Sequence, residues 1–284
     1  MPYPSEPTQP SPAQAEAITT IATRAPRLDQ EDFFGVPWQT LPCFDIEIIP
    51  EQGFALILRA TNPARADLFA YVLPEHRRQG LFTRLISSLE HRGPASLALS
   101  ARSSSRHPQS ANALTSQGFE AGKVDLEMAG PLTKRPETDF GPAITFQLYQ
   151  GGDQKLDGQI AALENRLYGQ RTTDSLITAE IVTRRFARGS YVMLLARDQS
   201  GALIGQIEGL TEPPCCTRLG VIRAHWGTGL AQELTTRLIN HMVHLCFERT
   251  VSVVAETNHA SLSLCRAFGM EIIGRITTYH KTPP

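Results

Sequence analysis

Residues 71–86, YVLPEHRRQGLFTRLI, join an apolar stretch to an amphipathic one through a basic turn that ends in glycine. A helix that begins at Gly80 would expose unpaired backbone N–H groups and a partial positive charge, which together form a site for a phosphate. A tight turn with solvated charges is the alternative interpretation. The rest of the chain must decide between an anion site and a plain turn.

The composition indicates a globular protein without a strong charge bias. Of the 284 residues, 41% are hydrophobic and 19% charged, enough to bury the core of one large domain or two ordinary ones. The 27 Lys and Arg residues are balanced by 28 Asp and Glu, so no global basic field attracts nucleic acid or a membrane. We therefore expect neither as a partner.

The cysteines and the N-terminus indicate the compartment. Five irregularly spaced cysteines disfavour a disulfide framework and favour a reducing environment. Cys215 and Cys216 lack a second Cys or His pair at structural-zinc spacing, so we expect no metal. The N-terminus lacks the pattern of a signal peptide, and no run approaches the ~20 apolar residues of a membrane span. We therefore expect a cytoplasmic protein.

Proline and charge content predict the domain organisation. Residues 1–30 begin with a Pro-, Ser- and Gln-containing tail and are predicted to be partly disordered. Residues 131–142 gather prolines and charges between apolar stretches, which predicts a linker. A first domain over 31–130 and a second over 143–284 follow from this division.

Hydrophobic periodicity predicts the same order of elements in both halves. The elements of the first half are strands at 44–49, 54–60 and 66–73, a helix from 81, a strand at 96–102, a helix at 110–117 and a strand at 123–129. Those of the second half are a strand at 143–149, helices at 155–169 and 174–188, strands at 191–197, 202–210 and 216–222, a helix at 230–248, a strand at 250–256, a helix at 259–268 and a strand at 271–281. Gly80 lies 38 residues before Gly118, and Gly229 lies 40 before Gly269. The matching order and spacing indicate an internal duplication.

This order of elements resembles the GCN5-related N-acetyltransferase (GNAT) family, here as two copies over residues 40–130 and 143–281. The resemblance implies an α+β fold of two tandem GNAT-like domains, each a mixed, mostly antiparallel sheet flanked by helices. It also implies acetyl-CoA, or another short acyl-CoA, as co-substrate.

The family binds the CoA pyrophosphate through an Arg/Gln-x-x-Gly-x-Gly/Ala motif at the strand-to-helix joint. The first copy matches it with Arg77-Arg78-Gln79-Gly80, although Phe82 stands at the small position. The second copy offers Trp226-Gly227-Thr228-Gly229-Leu230-Ala231, with tryptophan in place of Arg or Gln. The resemblance therefore implies CoA contacts at both turns. The indole of Trp226 could stack on adenine or simply cover the core.

A second family motif has an asparagine near the pantetheine and, seven residues later, a tyrosine that often protonates the leaving thiolate. The matching positions are Asn258 and Cys265 in the second copy, and His107 and Leu114 in the first. Because the second copy keeps the asparagine, the resemblance favours it as the catalytic one.

Acyl transfer to an amine needs a polarised carbonyl, a base and an acid. The resemblance implies a backbone N–H of Val221 or Ile222 at the carbonyl. Glu208, near a strand end, is the candidate base, with a solvated carboxylate as the alternative. Tyr279 is a candidate acid, since a phenol of pKa ~10 suits proton donation to a thiolate, with a buried structural tyrosine as the alternative. Cys265 is a further candidate, with core packing as the alternative.

The predicted function is acyl-CoA-dependent N-acylation, most simply acetylation, of an amine on a small molecule or peptide by direct attack. The first copy is expected to be shortened or degenerate, because only residues 13–40 stand where the second has two helices at 155–188. One alternative is a catalytically inactive CoA-binding or scaffolding protein. Another is transfer to aminoacyl-tRNA. The acceptor and the oligomeric state stay open, because a fold does not fix its substrate.

Overall fold

The computed structural model describes residues 8–26, 43–59, 65–92, 98–168, 177–187, 189, 191–211 and 214–282. The chain divides into two compact units, one from residues 1–124 with 275–284 and one from residues 125–274. Each unit contains a mixed, mostly antiparallel sheet with helices packed on it, which confirms the predicted fold class. No helix within the described ranges is long and apolar enough to cross a membrane.

The helices and strands follow the predicted order. The first repeat contains α1 (Pro12–Arg24), β1 (Cys43–Ile49), β2 (Gly53–Arg59), β3 (Arg65–Val72), α2 (Leu81–Arg92), β4 (Ala98–Ser104), α3 (Pro108–Ser116) and β5 (Glu120–Pro131). The second contains β6 (Ile144–Tyr149), α4 (Gln154–Tyr168), α5 (Ala179–Phe186), β7 (Tyr191–Asp198), β8 (Leu203–Thr211), β9 (Pro214–Val221), α6 (Leu230–His244), β10 (Arg249–Ala255), α7 (His259–Ala267) and β11 (Glu271–Lys281).

Helix α1 occupies residues 12–24 of the segment 1–30, whose partial disorder stays a prediction. Ser11 caps the helix through a capping box with Gln14, and proline occupies the first turn. The side chains of Ile18 and Ile21 are fully buried in a core cluster of the first unit. Helix α1 therefore belongs to the packed part of this unit.

The last strand of each repeat crosses into the unit of the other repeat. Residues 125–131 of β5 pair antiparallel with β10 in the second unit. Residues 276–281 of β11 pair antiparallel with β4 in the first unit. The boundaries of the compact units therefore differ from those of the predicted domains. The predicted boundaries follow the sequence repeat, and they remain a prediction.

The predicted linker lies along α6 and is held there by polar contacts. The Thr138 N–H donates to Glu233 Oε2 at 2.9 Å, and Arg237 Nε donates to the other oxygen of this carboxylate at 2.6 Å. The Arg135 N–H donates to Asn240 Oδ1 at 2.9 Å. A segment whose composition is typical of a linker is thus fixed on a helix of the second unit.

The sheet of the second unit separates two helical layers of different chemistry. Helix α6 packs on one face, where a Cβ at Gly205 of β8 would lie 3.0 Å from the side chain of Leu234. Successive side chains of a strand point to opposite faces. Gln206 and Glu208 of β8 accordingly face α4 and α5 on the other side, where both contact side chains of these helices.

A buried carboxylate fastens α5 to α4. Asp157 of α4 is 1% exposed and accepts hydrogen bonds from the Tyr149 hydroxyl at 2.6 Å and from Thr183 Oγ1 of α5 at 2.5 Å. Burial and the hydrogen bond to Asp157 raise the pKa of Tyr149 to about 12, so the phenol stays protonated and donates. This contact positions the two helices that face Gln206 and Glu208.

We predict that Asp157→Ala lowers the free energy of unfolding by about 1–3 kcal/mol. Both hydroxyls lose a charged acceptor, although each keeps a backbone carbonyl, of Asp153 at 3.2 Å and of Ala179 at 3.0 Å. Urea denaturation measures the change. Glu180→Ala, which removes an exposed carboxylate from α5, is the matched control and should cost less than about 0.5 kcal/mol. Equal losses in the two variants would contradict a stabilising role for Asp157.

Candidate active site

Strands β9 and β10 of the second unit are parallel neighbours that pair at one position, Cys215 with Val251. Near this point Ser252 Oγ donates to the carbonyl of Cys216 at 2.7 Å. Beyond it, β9 runs to Val221 without a register partner in β10. The two strands therefore leave a gap between their carboxyl ends. In the first unit, β3 and β4 likewise pair only through residues 65–67 of β3.

A β-bulge in β9 follows the last paired position. Arg218 and Leu219 together oppose the single residue Ile207 of β8, and Arg218 has a φ of +47°. Positive φ is strained for a side chain of this size, and a bulge bends the strand that contains it. The next residue is Gly220, where a Cβ would lie 2.5 Å from the side chain of Leu167. The bulge thus marks where β9 separates from β10.

Hydrogen-bond alternation decides which backbone N–H faces the gap. The N–H of Ile222 donates to the carbonyl of Ile204 at 2.9 Å and is therefore used within the sheet. Gly205 and Val221 then form a non-hydrogen-bonded pair, and the N–H of Val221 points away from β8 toward the side of β10. Of the two predicted donors, Val221 is the one oriented to the gap.

The turn after β9 is open where a phosphate would lie. Gly227 and Gly229 have φ values of +76° and +85°, and a Cβ at either would meet no atom within 4 Å. Helix α6 begins after Gly229, which supplies no side-chain cap to the first N–H groups of the helix. Unpaired N–H groups at the positive end of a helix dipole fit the pyrophosphate of an acyl-CoA. The residues of this turn therefore suit the expected co-substrate.

Trp226 departs from the expected Arg or Gln but makes the same type of contact as Arg77 does in the first unit. The indole Nε1 of Trp226 donates to the carbonyl of Val221 at 2.8 Å. Arg77 Nε donates to the carbonyl of Val72 at 3.0 Å. Both valines end the strand before the turn, so either side chain ties the turn back to its strand. Trp226 itself is 64% exposed, which disagrees with a role in covering the core.

The turn of the first unit keeps the same open space. Gly80 has a φ of +74°, and a Cβ there would meet no atom within 4 Å. Arg78, at φ +63°, stands where the second unit has a glycine, and Gln79 Nε2 donates to the carbonyl of Glu75 at 3.2 Å. Phe82 is partly buried and packs against the core of the first unit. The unexpected phenylalanine therefore leaves the turn open.

Charged side chains meet on the α4 and α5 face of the second sheet. Glu164 of α4 and Glu208 of β8 are 0% and 1% exposed, and Arg185 of α5 binds both carboxylates. Arg185 Nη1 lies 2.7 Å from Glu164 Oε1. Arg218, at the bulge, lies 3.5 Å from Glu208 and 3.7 Å from Glu164. These four residues and Gln206 are called the carboxylate cluster below.

The carboxylate cluster holds a group that titrates near neutral pH. Burial raises the pKa of Glu208 to about 7, with Arg185 acting against the shift and the neighbouring Glu164 adding to it. A second negative charge beside Glu164 is unfavourable, which disfavours ionisation of Glu208. Glu208 is therefore able to accept or release a proton near pH 7.

Gln206 brings an unused acceptor to the carboxylate cluster. The residue is 0% exposed, and its Nε2 donates to Glu164 Oε1 at 3.0 Å. Its Oε1 has no hydrogen-bond partner among the described residues. A buried carbonyl without a donor is costly and uncommon in folded proteins. A ligand with an N–H or O–H group would satisfy it.

The first unit has apolar residues at the matching positions. Counted from the residue pair farthest from the turn of each hairpin, Phe54 and Leu56 of β2 occupy the positions of Gln206 and Glu208 in β8. Both side chains are fully buried in a cluster with isoleucines of α1. Among the described residues, the polar arrangement is thus found in the second unit.

The remaining predicted residues have different placements. Asn258 caps α7, where its Oδ1 accepts a hydrogen bond from the N–H of Ser261 at 3.3 Å. Cys265 is partly buried on α7, and burial raises the pKa of its thiol. Tyr279 is 8% exposed in a core cluster of the first unit, opposite Ala101 of β4. This placement fits the alternative of a buried structural tyrosine, and the role of Tyr279 as an acid stays a prediction.

Sequence reasoning missed Glu164, Arg185, Gln206 and Arg218. One signal for the first was present: Asp157 and Glu164 lie seven residues apart on the apolar stripe of α4, so two acids share its buried face. Gly220 inside a strand pattern also indicates a bulge or a close approach.

Residues 157–271 match the family model of an acetyltransferase (GNAT) domain. No curated protein matches the sequence. The chain is similar to the solved structure of a GCN5-related N-acetyltransferase from Sphaerobacter thermophilus, with 19% identity, a TM-score of 0.70, and coverage of 97% of this chain and 95% of that one. It is also similar to a tandem GNAT protein from the clavulanic acid biosynthesis pathway, with 16% identity, a TM-score of 0.71, and coverage of 95% of each chain. A third similar structure is a GNAT-family acetyltransferase from Colwellia psychrerythraea, with 16% identity, a TM-score of 0.63, and coverage of 97% of this chain and 99% of that one. These similarities confirm the predicted tandem fold.

We predict that the unfolding free energy of the wild type, relative to Glu208→Gln, falls as pH rises from about 5 to 7.5. The folded-state pKa of about 7 lies above the ordinary 4.5, so in this window the folded protein binds more protons than the unfolded chain. The stabilisation of the folded wild type by this proton is fully present below pH 4.5 and is lost above pH 7. It amounts to at most roughly 3 kcal/mol. Urea denaturation at several pH values measures it. A difference that rises with pH would instead show a carboxylate held ionised by Arg185.

Proposed function

We propose, on the premise that residues 157–271 form a domain of the GNAT acetyltransferase family, that the protein transfers an acyl group from an acyl-CoA, most simply acetyl-CoA, to an amine of a small molecule or peptide by direct attack. The observation that carries this proposal is the coincidence in one unit of three features: parted strands, an open glycine turn and a buried carboxylate pair. The first two fit the co-substrate, and the third supplies a proton acceptor.

The residues that would hold the acyl-CoA lie along the gap. Gly227, Thr228 and Gly229, with the first N–H groups of α6 at Leu230 and Ala231, would bind the pyrophosphate. The gap between β9 and β10, with Asn258 at the start of α7, would take the pantetheine. The bound thioester supplies an activated acyl carbon.

The chain itself would manage charge and protons. The N–H of Val221 would donate to the acyl carbonyl oxygen and stabilise the negative charge that grows there. Glu208 would take a proton from the attacking amine and share it with Glu164, while Arg185 holds both carboxylates in place. Cys265 would hold a proton for the departing sulfur, since burial keeps its thiol protonated.

The first unit would bind CoA or act as a scaffold without catalysing transfer. Its turn, Arg77-Arg78-Gln79-Gly80, is open in the same way as the turn of the second unit. Its sheet face is filled by Phe54 and Leu56 and has no carboxylate at these two positions. If neither unit turned over any amine, the protein would be a CoA-binding protein, and turnover separates the two functions.

We predict that Gly229→Trp weakens acetyl-CoA binding at least about tenfold, because the indole would fill the open phosphate space. Isothermal titration measures the affinity. Gly201→Trp is the matched control, because Gly201 in the β7–β8 hairpin has a φ of +81° and equally open Cβ space. This control should bind acetyl-CoA like the wild type. Loss of binding in Gly80→Trp alone would move the working site to the first unit, and no heat in the wild type would refute CoA binding.

We predict that Glu208→Gln lowers kcat about 100-fold or more for amine acceptors, because the variant keeps the size of the side chain but accepts no proton. CoA release from acetyl-CoA with a panel of amines measures it. In the wild type, activity should rise with pH along a limb with an apparent pKa near 7, and the variant should lack this limb. Glu180→Gln, on the exposed face of α5, is the control. An unchanged kcat in Glu208→Gln would exclude Glu208 as the base.

A further inference from the structure

Two polar side-chain groups of the carboxylate cluster lack a hydrogen-bond partner among the described residues. Gln206 Oε1 is buried without a hydrogen-bond partner. The guanidinium of Arg218 lies 3.5 Å or more from either carboxylate and makes no side-chain hydrogen bond to a described residue. Both side chains adjoin the same carboxylate, since Gln206 Nε2 lies 3.0 Å and Arg218 Nη1 3.7 Å from the oxygens of Glu164. One buried acid is thus flanked by an acceptor without a hydrogen-bond donor and by a guanidinium that is ion-paired with the acids but not hydrogen-bonded to them.

The two arginines of the carboxylate cluster have different surroundings. Arg185 has a side chain that is 10% exposed, and it binds both oxygens of Glu164, at 2.7 and 3.2 Å, as well as Glu208. Arg218 has a side chain that is 48% exposed. The first arginine therefore compensates the buried acids, whereas the second presents a planar set of donors at the solvent side. Such a fork suits a carboxylate, which it binds through two parallel hydrogen bonds.

The backbone of Arg218 is strained in a way that its side chain does not require. A φ of +47° is unfavourable for a residue with a long side chain such as arginine, whereas Asn or Gly adopts it more readily. The hydroxyl of Tyr168 donates to the carbonyl of Arg218 at 3.0 Å and holds this conformation. From the bulge, the side chain of Arg218 brings a positive charge to the two acids. Asn or Gly would adopt this φ with less strain but would bring no charge.

We propose that the acyl acceptor of the second unit is an amine with a carboxylate on the adjacent carbon, that is, an α-amino acid or a close analogue. The acceptor carboxylate binds Arg218, and its nitrogen donates to Gln206 Oε1 and to the glutamate pair. A single negative charge is tolerated beside Glu164 and Glu208, whereas a dianionic phosphate would be repelled. This inference rests on the proposed acyl transfer.

The step balances with these groups and the thiol of Cys265. The nitrogen of the neutral amine forms a bond to the acyl carbon, and the C–S bond breaks with its electron pair going to sulfur. One amine proton goes to Glu208, the Cys265 thiol protonates the departing sulfur, and transfer of the proton from Glu208 through solvent restores Cys265. Arg218 and Gln206 are positioning residues here, because they orient the acceptor without exchanging a proton.

The test compares each common L-amino acid with its own carboxamide as acceptor, with acetyl-CoA as donor. The two members of a pair differ only in the anionic group. The carboxamide has the less basic amine and so more of the reactive neutral form, which favours it in the absence of recognition. We expect the acid that is used best to exceed its carboxamide at least about tenfold in kcat/KM. Equal or better use of the carboxamides would overturn the inference.

Arg218→Asn removes the guanidinium and tolerates the positive φ, so this variant should fold at least as stably as the wild type, which thermal unfolding checks. We expect kcat/KM for the acid to fall about 10- to 100-fold more than kcat/KM for its carboxamide, which shares any effect of the lost charge on Glu208. Arg184→Asn, which removes an exposed arginine from α5, should change neither. Equal losses for both acceptors would show a merely structural role for Arg218.

Titration of the same amino acids into the protein separates this inference from the proposed function. Turnover of carboxylate-free amines without an acid preference would leave acyl transfer standing and refute the acceptor class. Binding of an amino acid that is lost in Arg218→Asn, without turnover, would support the carboxylate site and refute acyl transfer. If no amino acid were bound and none were turned over, the inference would be refuted.

Discussion

The bulge in β9 is the constraint on which the site of the second unit depends. Before the bulge, β9 pairs with β10 at Cys215, and after it the strand runs to Val221 without a partner there. The one extra residue of the bulge also places Arg218 beside Glu164 and Glu208. A regular strand would be free to pair along both edges, and it would then leave neither a gap for an extended ligand nor an inward-facing arginine.

The carboxylate cluster is better explained by function than by stability. Moving two carboxylates and a guanidinium out of water costs several kcal/mol per ion, and contacts such as those of Arg185 offset this only in part. The first unit shows the cheaper solution for the same fold, because Phe54 and Leu56 fill the matching positions with apolar side chains. One chain thus contains both versions, and the polar version also leaves Gln206 Oε1 unsatisfied. A network that weakens its own unit is expected where it binds or reacts.

The sequence predicts the features that are local, and it misses those that need two distant segments. The glycine turns and the order of elements follow from residue types within a few positions, so they were found, and Trp226 preserves its turn through one side-chain N–H. Glu164 and Arg185 lie on two different helices, 21 positions apart in the sequence, and hydrophobic periodicity does not relate them. The bulge was missed because Arg218 adopts a backbone region that arginine seldom occupies, although Gly220 beside it gave a hint.

The crossing of the last strands shows why position in the repeat does not by itself give the surroundings of Tyr279. Apolar alternation predicts that residues 271–281 form a strand but not which strand they pair with, since partner choice depends on the whole sheet. Residues 276–281 pair with β4, and residues 125–131 pair with β10. Each compact unit is therefore completed by a strand from the other repeat, and neither repeat alone contains all the strands of a unit. The duplication is visible in the sequence as two domains, but the units that fold together are assembled from both copies.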